Sequence, residues 1–228
     1  MASSFSSQYH VDICMCMDAT GSMGPLLDTV KDNALHFYGD LVACMAAKGK
    51  HVDKLRVRVI AFRDYLADGP EAMLLSDFFV LPEQAPAFEA TVRSIQPKGG
   101  GDDPEDGLEA LGYAIKSRWT RDGDKRRHII VLWTDNVPHE LGFGRAAPNY
   151  PARMAASFSE LTEWWGAAGD GGVMNPNDKR LLLYAPNKGA WNEMMGLWDN
   201  TLLFPSQAGM GLRETTYSAI LDAIAGSI

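Results

Sequence analysis

Short apolar runs alternate along this chain with stretches whose apolar residues recur every three or four positions. That alternation predicts strands interleaved with helices, the pattern of an α/β domain on a mostly parallel sheet. Val11 to Met17 is apolar on both faces except at Asp12, as a central strand covered by helices requires. Leu26, Val30, Ala34, Phe37, Leu41 and Met45 then trace one stripe of a single long helix, opened by Pro25 and ended by Gly49. Leu55 to Phe62 reads as the second strand and Asp77 to Leu81 as a short edge strand beside it. Ala87 to Ile95 predicts a helix, and another is expected from near Pro104 with Leu108, Leu111, Ile115 and Trp119 on one face. His128 to Trp133 predicts a central fourth strand, and Met154, Phe158, Leu161 and Trp165 a further helix. Arg180 to Tyr184 and Thr201 to Phe204 complete the strands, separated by a helix from Gly189 to Trp198 and followed by a closing helix carrying Tyr217, Leu221, Ile224 and Ile228. The expected fold is a single doubly wound, Rossmann-like α/β domain over residues 10–228, preceded by an N-terminal extension over residues 1–9. Its central, mostly parallel sheet has six strands, with helices on both faces.

Composition narrows the partners. The 228 residues suit one domain, and 21 basic against 29 acidic residues give a net charge of −8. No basic stripe appears, so no nucleic acid is expected, and Lys125, Arg126 and Arg127 read as a solvated turn. No apolar stretch approaches the roughly 18 residues of a membrane span, so no membrane partner is expected. The opening MASSFSSQYH has neither the charged nor the apolar part of a secretory leader. Cys14, Cys16 and Cys44 read as reduced core thiols, which points to a reducing compartment and a cytoplasmic protein.

Ligands of open α/β sheets bind at the carboxyl ends of central strands. After the first strand comes Asp18-Ala19-Thr20-Gly21-Ser22-Met23, and after the fourth Thr134-Asp135-Asn136. Ahead of the helix near Pro104 lies Gly99-Gly100-Gly101-Asp102-Asp103-Pro104-Glu105. A loop curling at Gly21 can aim the oxygens of Asp18, Thr20 and Ser22 at one point. An all-oxygen set suits a hard divalent cation, Mg²⁺ first, with Mn²⁺ or Ca²⁺ possible, and argues against zinc and copper. Each residue also has a simpler reading: Asp18 can satisfy turn N–H groups, Ser22 can cap a helix, and Asp135-Asn136 can be turn chemistry. Three segments arriving in order favour the metal site. His139 reads as a solvated loop residue. Asp64 either steadies the site from behind or pairs with an Arg. Trp164-Trp165 and Met194-Met195 read as packing, and Phe143 and Tyr150 as exposed residues beside the site.

DATGSM, GGGDDPE and TDN, in this order after the expected strands, resemble the von Willebrand factor type A domain and its metal-ion-dependent adhesion site, Asp-x-Ser/Thr-x-Ser. The resemblance spans about residues 10–228. It implies that Asp18, Thr20 and Ser22 belong to the metal site, partly through water, with Asp135 as the carboxylate of the later loop. The family commonly has a threonine in the middle loop; here that residue is acidic. Asp103 precedes Pro104 and is placed to cap the helix. That leaves Asp102, which matches the usual threonine when the glycines are aligned, as the favoured ligand and Asp103 as the weaker candidate. The GGGD-x-PE loop is similar to that of the hemicentin-like branch. With Asp18, Asp102 and Asp135 all charged, such a site is expected to hold its metal more firmly and attract an external carboxylate less strongly than its relatives.

The function implied is a non-catalytic protein–protein interaction module within an intracellular multiprotein assembly, its partner supplying an acidic residue that completes the metal's coordination. No Ser-His-Asp spacing, P-loop or G-x-S-x-G is present. Two other readings compete. A haloacid-dehalogenase-like, Mg²⁺-dependent phosphohydrolase needs a second acid two positions after Asp18, where Thr20 stands. A scaffold with a vestigial metal site needs none of these ligands.

Overall fold

The computed structural model describes residues 8–101, 104–166 and 172–228. One sheet contains β1 (Tyr9–Asp18), β2 (Lys54–Phe62), β3 (Met73–Leu75), β4 (Phe79–Leu81), β5 (Lys125–Trp133), β6 (Lys179–Ala185) and β7 (Thr201–Pro205). Its order is β3-β2-β1-β5-β6-β7, with β4 also pairing β2. β1, β2, β5, β6 and β7 are parallel; β3 and β4 run antiparallel against successive halves of β2. The sheet therefore has seven strands among the described residues, where the sequence pattern predicts six. The additional one, Met73–Leu75, has three residues and follows a tight turn at Gly69–Glu71, so it is too short to show a period of two. The expected edge strand is present as β4, beside β2.

Helices cover both faces: α1 (Gly24–Asn33), α2 (Phe37–Ala47), α3 (Tyr65–Asp68), α4 (Ala85–Ser94), α5 (Gly107–Ile115), α6 (Phe158–Trp165), α7 (Gly189–Leu197) and α8 (Tyr217–Ser227). β1 shows why the sheet is covered twice. Val11, Ile13, Met15 and Met17 join the core with α1, α2, α4 and α8, while Cys14 and Cys16 join the opposite core with α5, α6 and α7.

Several boundaries differ from the expected ones for physical reasons. The long first helix is two helices. The Asn33 side-chain amide donates to the Thr29 carbonyl and competes with the helical ladder, and His36 and Phe37 then make tight-turn bonds to Asn33 and Ala34. The apolar stripe stays buried across the break. The helix expected from Pro104 starts at Gly107, because Glu105 is drawn into an extended bridge with Pro138 and exchanges backbone bonds with Val137 and His139. With the helix starting at Gly107, capping does not decide between Asp102 and Asp103. That helix ends at Ile115, which leaves Trp119 in the following loop. The helix expected from Met154 begins at Phe158, where Ser157 caps it by accepting from the Glu160 N–H.

Lys125, Arg126 and Arg127 lie within β5, paired with Tyr9, His10 and Val11, and do not form a solvated turn. Cys14 and Cys16 are buried thiols, but Cys44 is half-buried, with its Sγ 3.4 Å from Asp222 Oδ1. Among the described residues no helix is long and apolar enough to cross a membrane.

Candidate functional site

β1 and β5 are neighbours, yet the chain leaves them in opposite directions: from β1 toward β2 and from β5 toward β6. This reversal opens a crevice at their carboxyl ends. Register pairs Met17 with Trp133, so Asp18, the last residue of β1, meets the segment that begins at Thr134.

Asp18 is fully buried. Its Oδ1 accepts from the Thr20 N–H at 2.9 Å and the Thr20 hydroxyl at 2.6 Å, and its Oδ2 accepts from the Thr134 hydroxyl at 2.8 Å. Ser22 Oγ donates to Asp135 Oδ1 at 3.0 Å, and the Gly211 N–H donates to Asp135 Oδ2 at 2.8 Å. The structure thus brings Asp18, Thr20, Ser22 and Asp135 together at the crevice. Asp102 and Asp103 lie outside the described residues. Gly21 is not the conformational hinge expected: the turn is a 3₁₀ helix, Gly21–Met23, with Gly21 outside the left-handed region and open space where a Cβ would stand. Ser22 does not cap α1.

Burial raises Asp18 to about 6, against the three hydrogen bonds from Thr20 and Thr134 that favour its charged form, and the Asp135 charge adds to the rise. Glu105, which carried no assigned role in the sequence reading, is more strongly affected. Its carboxyl is 2% exposed and its Oε2 has no hydrogen-bond partner among the described residues. Burial first, then the charges of Asp18, Asp64, Asp68 and Asp106, push it up to about 9. The glycine loop lies directly against it. A Cβ on Gly100, which has φ +83°, would stand 2.7 Å from Glu105 Oε1 and 3.2 Å from Thr20 Cγ2. Asp68 holds that loop by accepting from the Gly100 N–H at 3.1 Å. An open pocket of about 370 Å³ results, lined by Thr20, Ser22, Gly100, Glu105, Asn136 and Gly209 among others.

Behind the pocket, His139 is buried and not solvated. Its Nε2 lies 3.0 Å from Asp64 Oδ2 and its ring stacks on Phe143 with centroids 4.0 Å apart. Asp64 therefore pairs with a histidine, not an arginine, while its Oδ1 caps α3 by accepting from Leu66 and Ala67. Phe143 is exposed as expected; Tyr150 is half-buried, its hydroxyl donating to Glu109 Oε1 at 2.8 Å. Trp165 and Met194 are core residues and Trp164 packs beside them, whereas Met195 is exposed. Two signals for the overlooked groups were present in the sequence. Thr134 directly precedes Asp135, and Glu105 closes the same GGGDDPE stretch that supplied the other acids.

Among the described residues no three His, Cys, Asp or Glu side chains are grouped so as to hold an ion. The donors that do converge are two carboxylates and two hydroxyls, with Glu105 beside Thr20. Such a set suits a hard cation that keeps several waters, and Glu105 leaves one buried oxygen unpartnered beside it among the described residues.

No family model matches the chain, and no curated protein sequence matches it. Solved structures do. The pilus adhesin SpaC of Lactobacillus rhamnosus GG matches at 14% identity and TM-score 0.53, over 97% of this chain and 31% of that one. Proximal thread matrix protein 1 of the mussel byssus, solved with a zinc-occupied MIDAS motif, matches at 10% identity and TM-score 0.50, over 96% of this chain and 46% of that one. The vWF domain of the type V pili tip protein Mfa5 of Porphyromonas gingivalis is similar at 22% identity and TM-score 0.39, over 59% of this chain and 40% of that one. The chain spans less than half the length of each. At these identities the likeness is one of fold: a Rossmann-like α/β domain with a central, mostly parallel sheet.

Proposed function

We propose that this domain is a protein-interaction module that binds its partner through a divalent cation held by Asp18, Thr20, Ser22 and Asp135. A further acid comes from the glycine loop: Asp102 by the family resemblance, or Glu105 by its position in the pocket. One observation carries the reading. Asp18 bonded to Thr20 and Asp135 bonded to Ser22, from the ends of two adjacent central strands, stand behind an open pocket lined by Thr20, Ser22 and Glu105, and the Glu105 carboxyl has an unpartnered oxygen. Bound there, the ion offers a coordination position that a carboxylate from a partner protein completes. Asp18 and Asp135 are buried and tied by hydrogen bonds, so they are oriented before any ion arrives and little ordering remains to oppose binding. The crowding of acids makes Mg²⁺, Mn²⁺ or Ca²⁺ a stabilising ligand, and it makes the site hold its ion more firmly than one built from neutral oxygens.

Among the described residues nothing in the pocket is arranged as a nucleophile with a base. Both Asp18 oxygens are engaged, and Thr20 stands where a phosphohydrolase of this layout would need its second acid. The buried thiols of Cys14 and Cys16 favour a reducing, intracellular setting. Thermal melts test the proposal. At a hundredfold excess over Kd, cation binding to the native state adds about 2.7 kcal/mol, a rise of several degrees for a domain of this size. Asp18→Ala is expected to abolish that rise, and in pull-downs the wild type is expected to lose its partner in chelator and Asp18→Ala to lose it always. An Asp18→Ala protein with the full cation response, or a wild type that hydrolyses a phosphate ester only when Asp18 is present, overturns it.

A further inference from the structure

At the opposite end of the sheet lies a cleft of about 820 Å³, more than twice the volume of the pocket at Asp18. It is lined by the loop that follows α5 (Lys116 to Arg121), the start of β5 (Arg126, His128) and the segment leading into β6 (Val173 to Asn175, Asp178). Arg126 and Trp133 are seven residues apart on one strand, so about 23 Å separates this cleft from the Asp18 pocket. The two share no residue.

Its chemistry is unlike the rest of this acidic chain. Among the described residues Lys116, Arg118, Arg121 and Arg126 line it, against one acid, Asp178. Among the described residues Lys116, Arg118 and Arg121 form no ion pair, although 29 acidic residues were available to neutralise them; the Lys116 ammonium rests instead on the face of Trp164, 3.2 Å from the ring centroid. Arg126 is fixed in place. Its Nε donates to Asp178 Oδ2 at 3.0 Å and its Nη1 to the carbonyls of Arg121 and Gly123, which leaves Nη2 without a partner among the described residues. The loop bearing the other cations is pinned as well: Asp12, buried and bound twice by Arg56, accepts from the Thr120 N–H at 2.7 Å, and Arg56 also donates to the Arg118 carbonyl. Trp119 stacks on the buried His128, whose Nε2 meets the Thr120 carbonyl at 3.0 Å. The result is a braced wall with unneutralised cations, in a volume well above that of one phosphate and typical of small-ligand sites.

We infer that this cleft binds a small anion carrying two or more phosphate groups, held by the guanidinium groups of Arg118, Arg121 and Arg126 and the Lys116 ammonium. Guanidinium forks match phosphate oxygens two at a time, and several such pairs account for cations that the fold itself leaves uncompensated. The inference does not depend on the metal site.

Calorimetric titration with inorganic tripolyphosphate, in chelator and at low salt, tests it. The expected result is saturable one-to-one binding, weakened about tenfold or more by Arg118→Gln/Arg121→Gln. Asp18→Ala and the control pair Arg93→Gln/Lys98→Gln, cations elsewhere on the surface, are expected to retain wild-type affinity. Arg118 and Arg121 are exposed, so an unchanged melting midpoint for the double variant separates lost binding from lost fold. Absence of saturable heat with wild type, equal affinity for the double variant and wild type, or orthophosphate or citrate binding as tightly as tripolyphosphate each overturns the inference.

Discussion

The two ends of the sheet solve opposite electrostatic problems with the same device. At the carboxyl end, Asp18, Asp135 and Glu105 are buried close together, and burial with mutual repulsion drives Asp18 to about 6 and Glu105 to about 9. At the amino end, Arg56, Arg118, Arg121 and Arg126 gather around the starts of the strands, and among the described residues Asp12 and Asp178 alone answer them. In each case a few hydrogen bonds, buried at Asp18 and partly exposed at Arg126, fix one member of the set and leave others uncompensated. Thr20 and Thr134 fix Asp18; Asp178 and two carbonyls fix Arg126. The lesson is that a modest net charge of −8 conceals a strongly polarised molecule. A net charge is a sum, whereas binding depends on where the charges sit.

The largest effect is expected from cutting the brace of the basic end. Asp12 is 1% exposed and its two carboxylate oxygens accept from Arg56 Nε and Nη2. Arg56→Gln leaves a buried carboxylate short of its partner, and about 3 kcal/mol or more of stability is expected to go, read by urea denaturation. The cation response at the acidic end should persist in whatever folds. Next comes Gly100→Val. A β-branched residue at φ +83°, with Glu105 and Thr20 in its way, costs about 2 kcal/mol and closes the pocket. Melts should show the Mg²⁺-induced rise lost while tripolyphosphate binding stays, which would establish the two ends as independent. A variant that loses both couples them and breaks the comparison.

A smaller effect separates the ends by pH. Burial holds the His128 imidazole below its ordinary range, with Asp12 and Asp178 opposing. The unfolded chain takes up that proton near pH 6.5 and the folded one only below it, so this contribution is intact above about pH 6.5 and lost as the pH falls further. His128→Gln keeps a donor for the Thr120 carbonyl and has nothing to titrate. Between pH 7 and 5 the wild-type midpoint is expected to fall further than that of His128→Gln; parallel curves would mean that the folded protein takes up the His128 proton as readily as the unfolded chain.

How much of this was legible beforehand divides along the same line. The alternation of apolar runs located β1, β2, β5, β6 and β7, because each is long enough to show its period, and the first four are also buried on one or both faces. β3 escaped because three residues carry no period, and the break between α1 and α2 escaped because the apolar stripe continues through it. At the acidic end Asp18, Thr20, Ser22 and Asp135 were readable, since each follows a central strand within a short motif. Glu105 and His139 were not, because their burial arises from a bridge between two loops, Glu105 with Pro138, that no local pattern announces. The basic end was misread altogether: Arg126 and Arg127 look like a turn in the sequence, and only pairing with β1 shows that they begin a strand. Charges brought together by tertiary pairing leave no trace in spacing.

The smallest expected effect is the most informative about the acidic end. Ser22 is exposed, and its hydroxyl makes a single hydrogen bond, to Asp135 Oδ1 at 3.0 Å. In chelator, Ser22→Ala removes one partly solvated bond and Asp135 keeps its contact from the Gly211 N–H, so a loss of only about 0.5–1 kcal/mol is expected. If Ser22 serves merely to orient Asp135, the rise produced by Mg²⁺ should survive nearly unchanged, because the Gly211 bond still holds that carboxylate. If Ser22 lends its oxygen to the ion, the rise should shrink by more than the loss measured in chelator, and Ser22→Thr, which restores a hydroxyl at the same position, should recover it. Melts of the three proteins across a Mg²⁺ series distinguish a residue that positions a ligand from one that is a ligand.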